Sequence, residues 1–175
     1  MRHTLKIIVA ALVCAGCQSM DAKMGMSADA SAQLGPTANS STSGSVVFTQ
    51  KGNAVVVDAT IAGLSPGKHG FHIHEKGDCS APDATSAGGH FNPTGKPHGD
   101  PASAEHHAGD MPMLEADASG HAHYTATISG VSIGGGAAND IVGKSVVVHK
   151  DVDDYKSQPA GNSGPRIACG VIKKA

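Results

Sequence analysis

No part of this chain carries a sustained 3.6-residue apolar period with helix caps; its apolar residues fall in short β-branched runs between turn-forming residues. Residues 45–49 (Ser-Val-Val-Phe-Thr) and 54–61 (Ala-Val-Val-Val-Asp-Ala-Thr-Ile) flank Lys51-Gly52-Asn53 and read as a hairpin. The turn Gly63-Leu64-Ser65-Pro66-Gly67 leads into a strand over 70–74. Strands over 113–116 and 121–128 are joined by a turn at 117–120, and further strands fall at 145–149 and 167–172. Many short strands without helices predict an all-β sandwich or barrel beginning near Asp29. Two connections, 75–112 and 150–166, are longer than compact folds usually contain unless they are functional. His, Asp and Gly gather in both.

The segment before Asp29 is expected to stand outside this fold. Arg2, His3 and Lys6 are a basic start, and residues 7–16 are a short apolar run, the pattern of an export signal and too short to span a bilayer. Cys14-Ala15-Gly16-Cys17 places small residues before a Cys and resembles a bacterial lipoprotein signal, with Cys17 as the lipidated residue; Cys14 departs from it, standing where such signals usually have Leu. An ordinary secretory signal cut a few residues later has the same charge and apolar pattern, and either reading exports the protein. The lipoprotein reading divides the chain into a signal over 1–17, a flexible tether over 18–28 and a folded domain over 29–175. It places the domain in the periplasm, on a membrane only through the lipid. Met20, Met24 and Met26 read as linker composition, since no other soft ligand converges there.

Cys14 leaves with the signal and Cys17 lies at its end, so Cys79 and Cys169 remain. In an oxidising compartment the simplest inference is one disulfide closing a loop of about 90 residues. Two free thiols, one of them a metal ligand, are the alternative.

Composition removes several function classes. The formal charge is −2, and −4 without Arg2 and Lys6 (11 basic against 15 acidic residues), so there is no basic footprint for nucleic acid. Three Phe, two Tyr and no Trp leave little for base stacking or an aromatic-anchored partner surface. Gly63-x-Ser65-x-Gly67 matches a hydrolase nucleophile elbow only formally, because the strand follows it instead of preceding it. Gly134-Gly135-Gly136 lacks the helix of a phosphate loop. Asn92-Pro93-Thr94 is barred as a glycosylation acceptor by its Pro, whereas Asn39-Ser40-Ser41 fits the pattern.

The anomaly is eleven His. His72-x-His74 in a strand puts two imidazoles on one face, about 6.6–7 Å apart. His90, His98, His107 and Asp110 follow at short steps in the long loop, and three His with one carboxylate make a tetrahedral set that zinc accepts. His149 closes a Val-rich strand. A mixed N/O set beside an all-imidazole set points to two metals, one of them copper. The two residues between His107 and Asp110 favour His107 over His106 as ligand. His121-x-His123 reads as a solvated strand face, with a weak surface ion as the alternative.

Several runs resemble the copper/zinc superoxide dismutases. Gly70-Phe71-His72-Ile73-His74-Glu75-x-Gly77-Asp78-Cys79 looks like the first signature of that family. Gly88-Gly89-His90-Phe91-Asn92-Pro93, His98-Gly99 and His107-Ala108-Gly109-Asp110 resemble its zinc loop. Val147-Val148-His149 with Asp153-Asp154, and the run from Gly161 to Ile172, resemble the segments that follow. The similarity runs from about residue 29 to the end, and the export signal points to the bacterial secreted branch.

The resemblance implies an eight-stranded Greek-key β-barrel, a flattened immunoglobulin-like sandwich with long zinc-binding and electrostatic loops. It implies one copper on His72, His74, His90 and His149, and one zinc on His90, His98, His107 and Asp110, with His90 shared. Asp153 is expected to orient one His of each metal, and His69 to bond backbone near the copper. Arg166 is expected to orient the substrate anion, and Cys79 and Cys169 to form the family disulfide. Because the chain is net acidic, a local field must draw the anion in: Lys150 and Lys156 are the candidates, and Lys156 is read as a steering charge, with an exposed loop Lys as the alternative. The implied reaction is dismutation: one superoxide is oxidised to dioxygen, a second is reduced and protonated to hydrogen peroxide, and His90 exchanges a proton between the two. Whether such a chain works as a monomer or a homodimer stays open. A metal-buffering role on the same barrel is the alternative, disfavoured because every copper ligand and Arg166 is in place.

Overall fold

The computed structural model describes residues 29–175. The export signal, Cys17 and the Met-bearing tether lie outside the described residues. Ten strands and one short 3-10 turn make up the fold. They are β1 (Ala30–Pro36), β2 (Ser43–Lys51), β3 (Ala54–Ala62), β4 (Gly67–His69), β5 (Phe71–His74), β6 (Leu114–Ala116), β7 (Ala122–Ser129), β8 (Ser145–His149), β9 (Arg166–Val171) and β10 (Lys173–Lys174).

The pairing order is β5-β8-β9-β1-β2-β3-β7, with β10 on β1 and a separate β4–β6 ladder, all antiparallel. Only Gly70 separates β4 from β5, so the two run as one broken strand. β4 pairs with β6, and β6 packs along β7, which brings the ends of the curled sheet together. Counted this way, eight strands and the short β10 form the expected all-β Greek-key barrel. The connections from β3 to β4 and from β7 to β8 cross between non-neighbouring strands, which is the Greek-key feature.

The alternating runs explain the layering. Val46 and Phe48 on β2, Val55, Val57, Ala59 and Ile61 on β3, and Ala30, Ala32 and Leu34 on β1 point into one core. On β8, Val146 and Val148 enter that core, while Val147 faces out against Ala84, Ala87, Cys169 and Cys79. Both faces of β8 are therefore buried, which suits its unbroken Val run. The disulfide between Cys79 and Cys169 is present, with Cα atoms 5.8 Å apart, so the two-thiol alternative falls.

Three segments depart from the strand pattern expected of the sequence. β1 is built largely from Ala, Gln and Gly, which carry little β propensity, and its burial alternates all the same. β4 begins at Gly67, the last residue of the expected turn, and fills the interval before the strand expected from 70. A third long connection, 130–144, is held by Asp140, whose carboxylate accepts backbone N–H bonds from Gly134, Gly135, Gly136 and Val142.

Candidate metal centre

β5 turns Phe71 and Ile73 into the core and His72 and His74 to the opposite face, where all four residues are buried. What covers the two imidazoles is the long loop after β5. A bridge between His74 and His90 and another between His72 and Asp110 lay that loop along the strand, and the pairs Phe91 N–Ile73 O and Ile73 N–Gly109 O bind it there. Gly109 permits the approach, since a Cβ on it would sit 2.3 Å from the Ile73 carbonyl oxygen. β8 pairs with β5 and delivers His149 from the neighbouring strand.

Two sets of ligand atoms result. Those of His72, His74, His90 and His149 lie within 4.8 Å of one another, as do those of His90, His98, His107 and Asp110. Every member is buried, and His90 belongs to both.

The orientation of the rings fits metal ions. A neutral imidazole has one donor and one acceptor nitrogen. His74 Nδ1 donates to Gly88 O at 3.0 Å and His149 Nδ1 to Gly164 O at 3.1 Å, which leaves their Nε2 atoms facing each other at 3.4 Å. His72 donates from Nε2 to Asp153 Oδ2 at 2.6 Å, so its Nδ1 is buried without a partner. His90 Nε2 is buried and unpartnered too. Buried polar atoms rarely go unmatched, and these two belong to one all-imidazole set. In the second set, Nδ1 of His90, His98 and His107 lie 2.8, 3.0 and 3.5 Å from the single oxygen Asp110 Oδ1. Asp110 Oδ2 is held by the backbone N–H groups of Gly99 and His107.

The electrostatics separate the sets. Burial lowers the pKa of His72 and His74, carries His90 down to about 4 and His149 to about 3, and so keeps the all-imidazole set neutral. Burial also lowers His98, but its hydrogen bonds to Asp110 and Asp153 outweigh that and push it up to about 9. Burial raises Asp110 and Asp153, yet their imidazole donors hold both well below the ordinary carboxylate range.

Asp153 lies between the sets, accepting from His72 Nε2 on Oδ2 and from His98 Nε2 on Oδ1 at 3.0 Å. Gly161 makes room for it, because a Cβ there would fall 1.8 Å from Asp153 Oδ1. His69 is buried, with Nδ1 2.9 Å from His149 O and Nε2 2.8 Å from Ser65 O and 3.2 Å from the Ser65 hydroxyl. Arg166 donates from Nη1 to Ala84 O and from Nη2 to Gly88 O, both at 2.6 Å. The same Gly88 oxygen serves His74. Lys156 is exposed, and its backbone N–H is bonded to Asp154. His106 hydrogen-bonds the His107 carbonyl and lies outside both sets, while His121 and His123 are exposed at the start of β7.

Sequence reasoning missed Gln158, Tyr155 and the Gly88 carbonyl. Gln158 bonds the His98 backbone, and Tyr155 Oη accepts from the Met113 N–H at 3.1 Å. No spacing announces such contacts between loops.

Fold and site together define a β-barrel metalloprotein with two adjoining metal sets that share one imidazole. Residues 42–172 match the family model described as copper/zinc superoxide dismutase. The chain is 40% identical over 143 residues to an extracellular superoxide dismutase [Cu-Zn] of Brugia pahangi, covering 77% of this chain and 70% of that protein. It is 41% identical over 135 residues to another from Caenorhabditis elegans, covering 74% and 60%. The crystal structure of the clock protein EA4 superposes with a TM-score of 0.75 at 35% identity, over 85% of this chain and 96% of that one. The chain belongs to the copper/zinc superoxide dismutase family. Copper and zinc are its metals, and its reaction is the dismutation of superoxide.

Proposed function

We propose that His72, His74, His90 and His149 hold copper, that His90, His98, His107 and Asp110 hold zinc, and that superoxide is turned over at the copper side beside Arg166. The observation that carries this division is the pair of opposed sets meeting at His90, whose Nδ1 faces Asp110 while its Nε2 faces three other imidazoles. Copper supplies a one-electron couple, which zinc with its filled d shell lacks.

The residues do the rest. Arg166 has five N–H donors, and two carbonyls fix its fork in place, so the remaining donors are aimed before substrate arrives. A small anion is bound beside the all-imidazole set and oriented by a charge that need not move. Of two superoxide anions, one loses an electron and leaves as dioxygen; the other gains it, takes two protons and leaves as hydrogen peroxide. His90 is the residue placed to relay one of those protons: its Nε2 takes up a proton from solvent and passes it to the second anion, while its Nδ1 stays anchored in the Asp110 set. Asp153 holds a ring from each set and so keeps their separation constant. His69 braces the His149 carbonyl. Lys156 is assigned to steering, since a net acidic chain must attract an anion by its local field, for which superoxide dismutases are a standard example.

The export pattern and the extracellular relatives support an exported protein. Within that, residues 1–17 are the signal segment ending at Cys17, which stays as the first residue of the mature chain and carries the lipid, while 18–28 form the tether and 29–175 work in the periplasm.

Metal analysis of the purified mature chain, paired with a superoxide-decay assay on the metal-loaded form, tests the site. Copper and zinc near one each with rapid decay is the expected result; bound metals without decay would favour a metal buffer. Labelled fatty acid incorporated by the full chain and lost in Cys17→Ser tests the anchor.

A further inference from the structure

The four residues of the zinc set are not supported alike. Asp110 and His90 are tied by bridges to β5, and His107 bonds Asp110 through its own N–H. His98 sits between Pro97 and Gly99 in a stretch without strand or turn, and among the described residues its backbone makes no backbone–backbone hydrogen bond. Its support comes from a side chain 60 residues away. The His98 N–H donates to Gln158 Oε1 at 2.9 Å, and Gln158 Nε2 donates to His98 O at 2.8 Å. The carboxamide thus pairs with His98 as a neighbouring strand would, satisfying both backbone groups at once.

We propose that Gln158 is a positioning residue for the zinc set, gripping His98 by its backbone while Asp153 from the same loop grips its ring. Residues 150–165 then hold His98 at two levels: Asp153 fixes the direction of the ring, and Gln158 fixes the place from which the ring starts. Strand β5 does this for His90 and Asp110, and Asp110 does it for His107. For His98 the loop beside Arg166 does it, so zinc affinity depends on how that loop is folded. Partners of metal ligands that lie one bond further out typically carry about 10-fold to 100-fold in affinity. A Gln is suited to this because one end accepts and the other donates; Glu keeps only the acceptor, and Met fills the space with neither.

The inference rests on the assignment of His90, His98, His107 and Asp110 to zinc, and cobalt(II) tests both separately. The metal-free mature chain, Gln158→Met and Gln158→Glu are titrated with cobalt(II), following the visible band of a tetrahedral site and competing with a chelator. Amide hydrogen exchange at His98 is measured on the cobalt-loaded forms. The expected result is a tetrahedral band in the parent. Gln158→Met should show an altered band, about tenfold or greater loss of affinity and faster exchange at His98, with Gln158→Glu between the two. Equal affinity, band and exchange in the parent and Gln158→Met would overturn the role of Gln158 and leave the zinc assignment standing. A parent without a tetrahedral band would overturn the assignment and the proposal with it. Should Gln158→Met fail to fold, Gln158→Glu decides alone: a parent-like band and affinity would overturn the proposal.

Discussion

The Nε2 atoms of His74 and His149 lie 3.4 Å apart and face each other, although 75 residues separate them in the chain. Each ring is aimed by a carbonyl accepting from its Nδ1, Gly88 O for one and Gly164 O for the other. Neutral rings locked in this way offer two lone pairs to one point before any ion arrives.

His149→Ala removes one of those lone pairs and leaves all four residues of the second set in place, the shared His90 included. Copper content should fall well below one per chain and superoxide decay should drop by at least about 100-fold, as expected when a group acting on the reacting centre is lost. Zinc should stay near one per chain. Elemental analysis of the same sample reads both metals; equal loss of the two would refute separate sets.

Asp153 and Gly161 should give the same phenotype by different routes. Asp153→Ala deletes the acceptor shared by His72 and His98, and loss of about 10-fold to 100-fold in affinity is expected at both sets. Gly161→Ala keeps the carboxylate but drives a Cβ to within 1.8 Å of Oδ1 and 2.6 Å of His98 Nε2, so the acceptor must move. Chelator competition on both variants is the check. A Gly161→Ala protein that retains both metals with parent affinity would show that Asp153 does not need its observed place.

Reduction of Cys79–Cys169, or Cys79→Ser, should affect activity as well as stability. The 90-residue separation gives a loop-closure contribution of about 4–5 kcal/mol as an upper figure. The segment after Cys79 also carries the Ala84 and Gly88 carbonyls that fix Arg166. Metal-loaded Cys79→Ser should therefore lose rate under conditions where circular dichroism still shows it folded; full activity in that sample would uncouple the bridge from the Arg.

The metal-free chain should be most stable near pH 6.5. Unfolded histidines titrate near 6.5, while folded His90 and His149 titrate at about 4 and about 3. Between those values the unfolded chain binds more protons, so stability from these rings is full above about pH 6.5 and is withdrawn as pH falls towards about 3. His98 has the opposite sign: raised to about 9, its contribution is full below about pH 6.5 and lost as pH rises through about 9. Urea midpoints across pH should fall on both sides. Zinc should abolish the alkaline fall, because a liganded His98 is a neutral ring that keeps only the Nε2 proton it gives Asp153 and has no second proton to lose. An alkaline limb unchanged by zinc would contradict the assignment of His98.

Lys156→Glu should slow superoxide decay several-fold at low salt and weaken its fall with ionic strength, since a steering charge acts through a screened field. An unchanged rate and salt dependence would remove Lys156 from the steering role.

The members of the two clusters were legible in the sequence because each stands at a short, regular step from another or at the end of a β-branched run. His72 and His74 declare a shared face by period two, and His149 closes three Val. The supports were less visible. Gln158 and His98 are far apart in sequence and joined by an amide common anywhere on a surface. β1 was obscured by small residues whose burial comes from the neighbours β2 and β9, and Asp140 by having backbone N–H groups for partners. What the sequence left dark was tertiary: contacts between loops, which no local period encodes.

The Gly88 carbonyl holds Arg166 and His74 together, yet every residue type has a carbonyl, so no substitution deletes that atom. A change at position 88 acts through what it adds. With φ at 75° and ψ at −155°, the backbone at 88 is in a region that side chains rarely adopt, and a Cβ there would also push Glu75 Oε1, 2.5 Å away, aside. In a lineage of such proteins, selection at this position would be felt as intolerance of side chains, and a mutational scan would score a glycine as indispensable while the acting group, an oxygen, never appears among the letters.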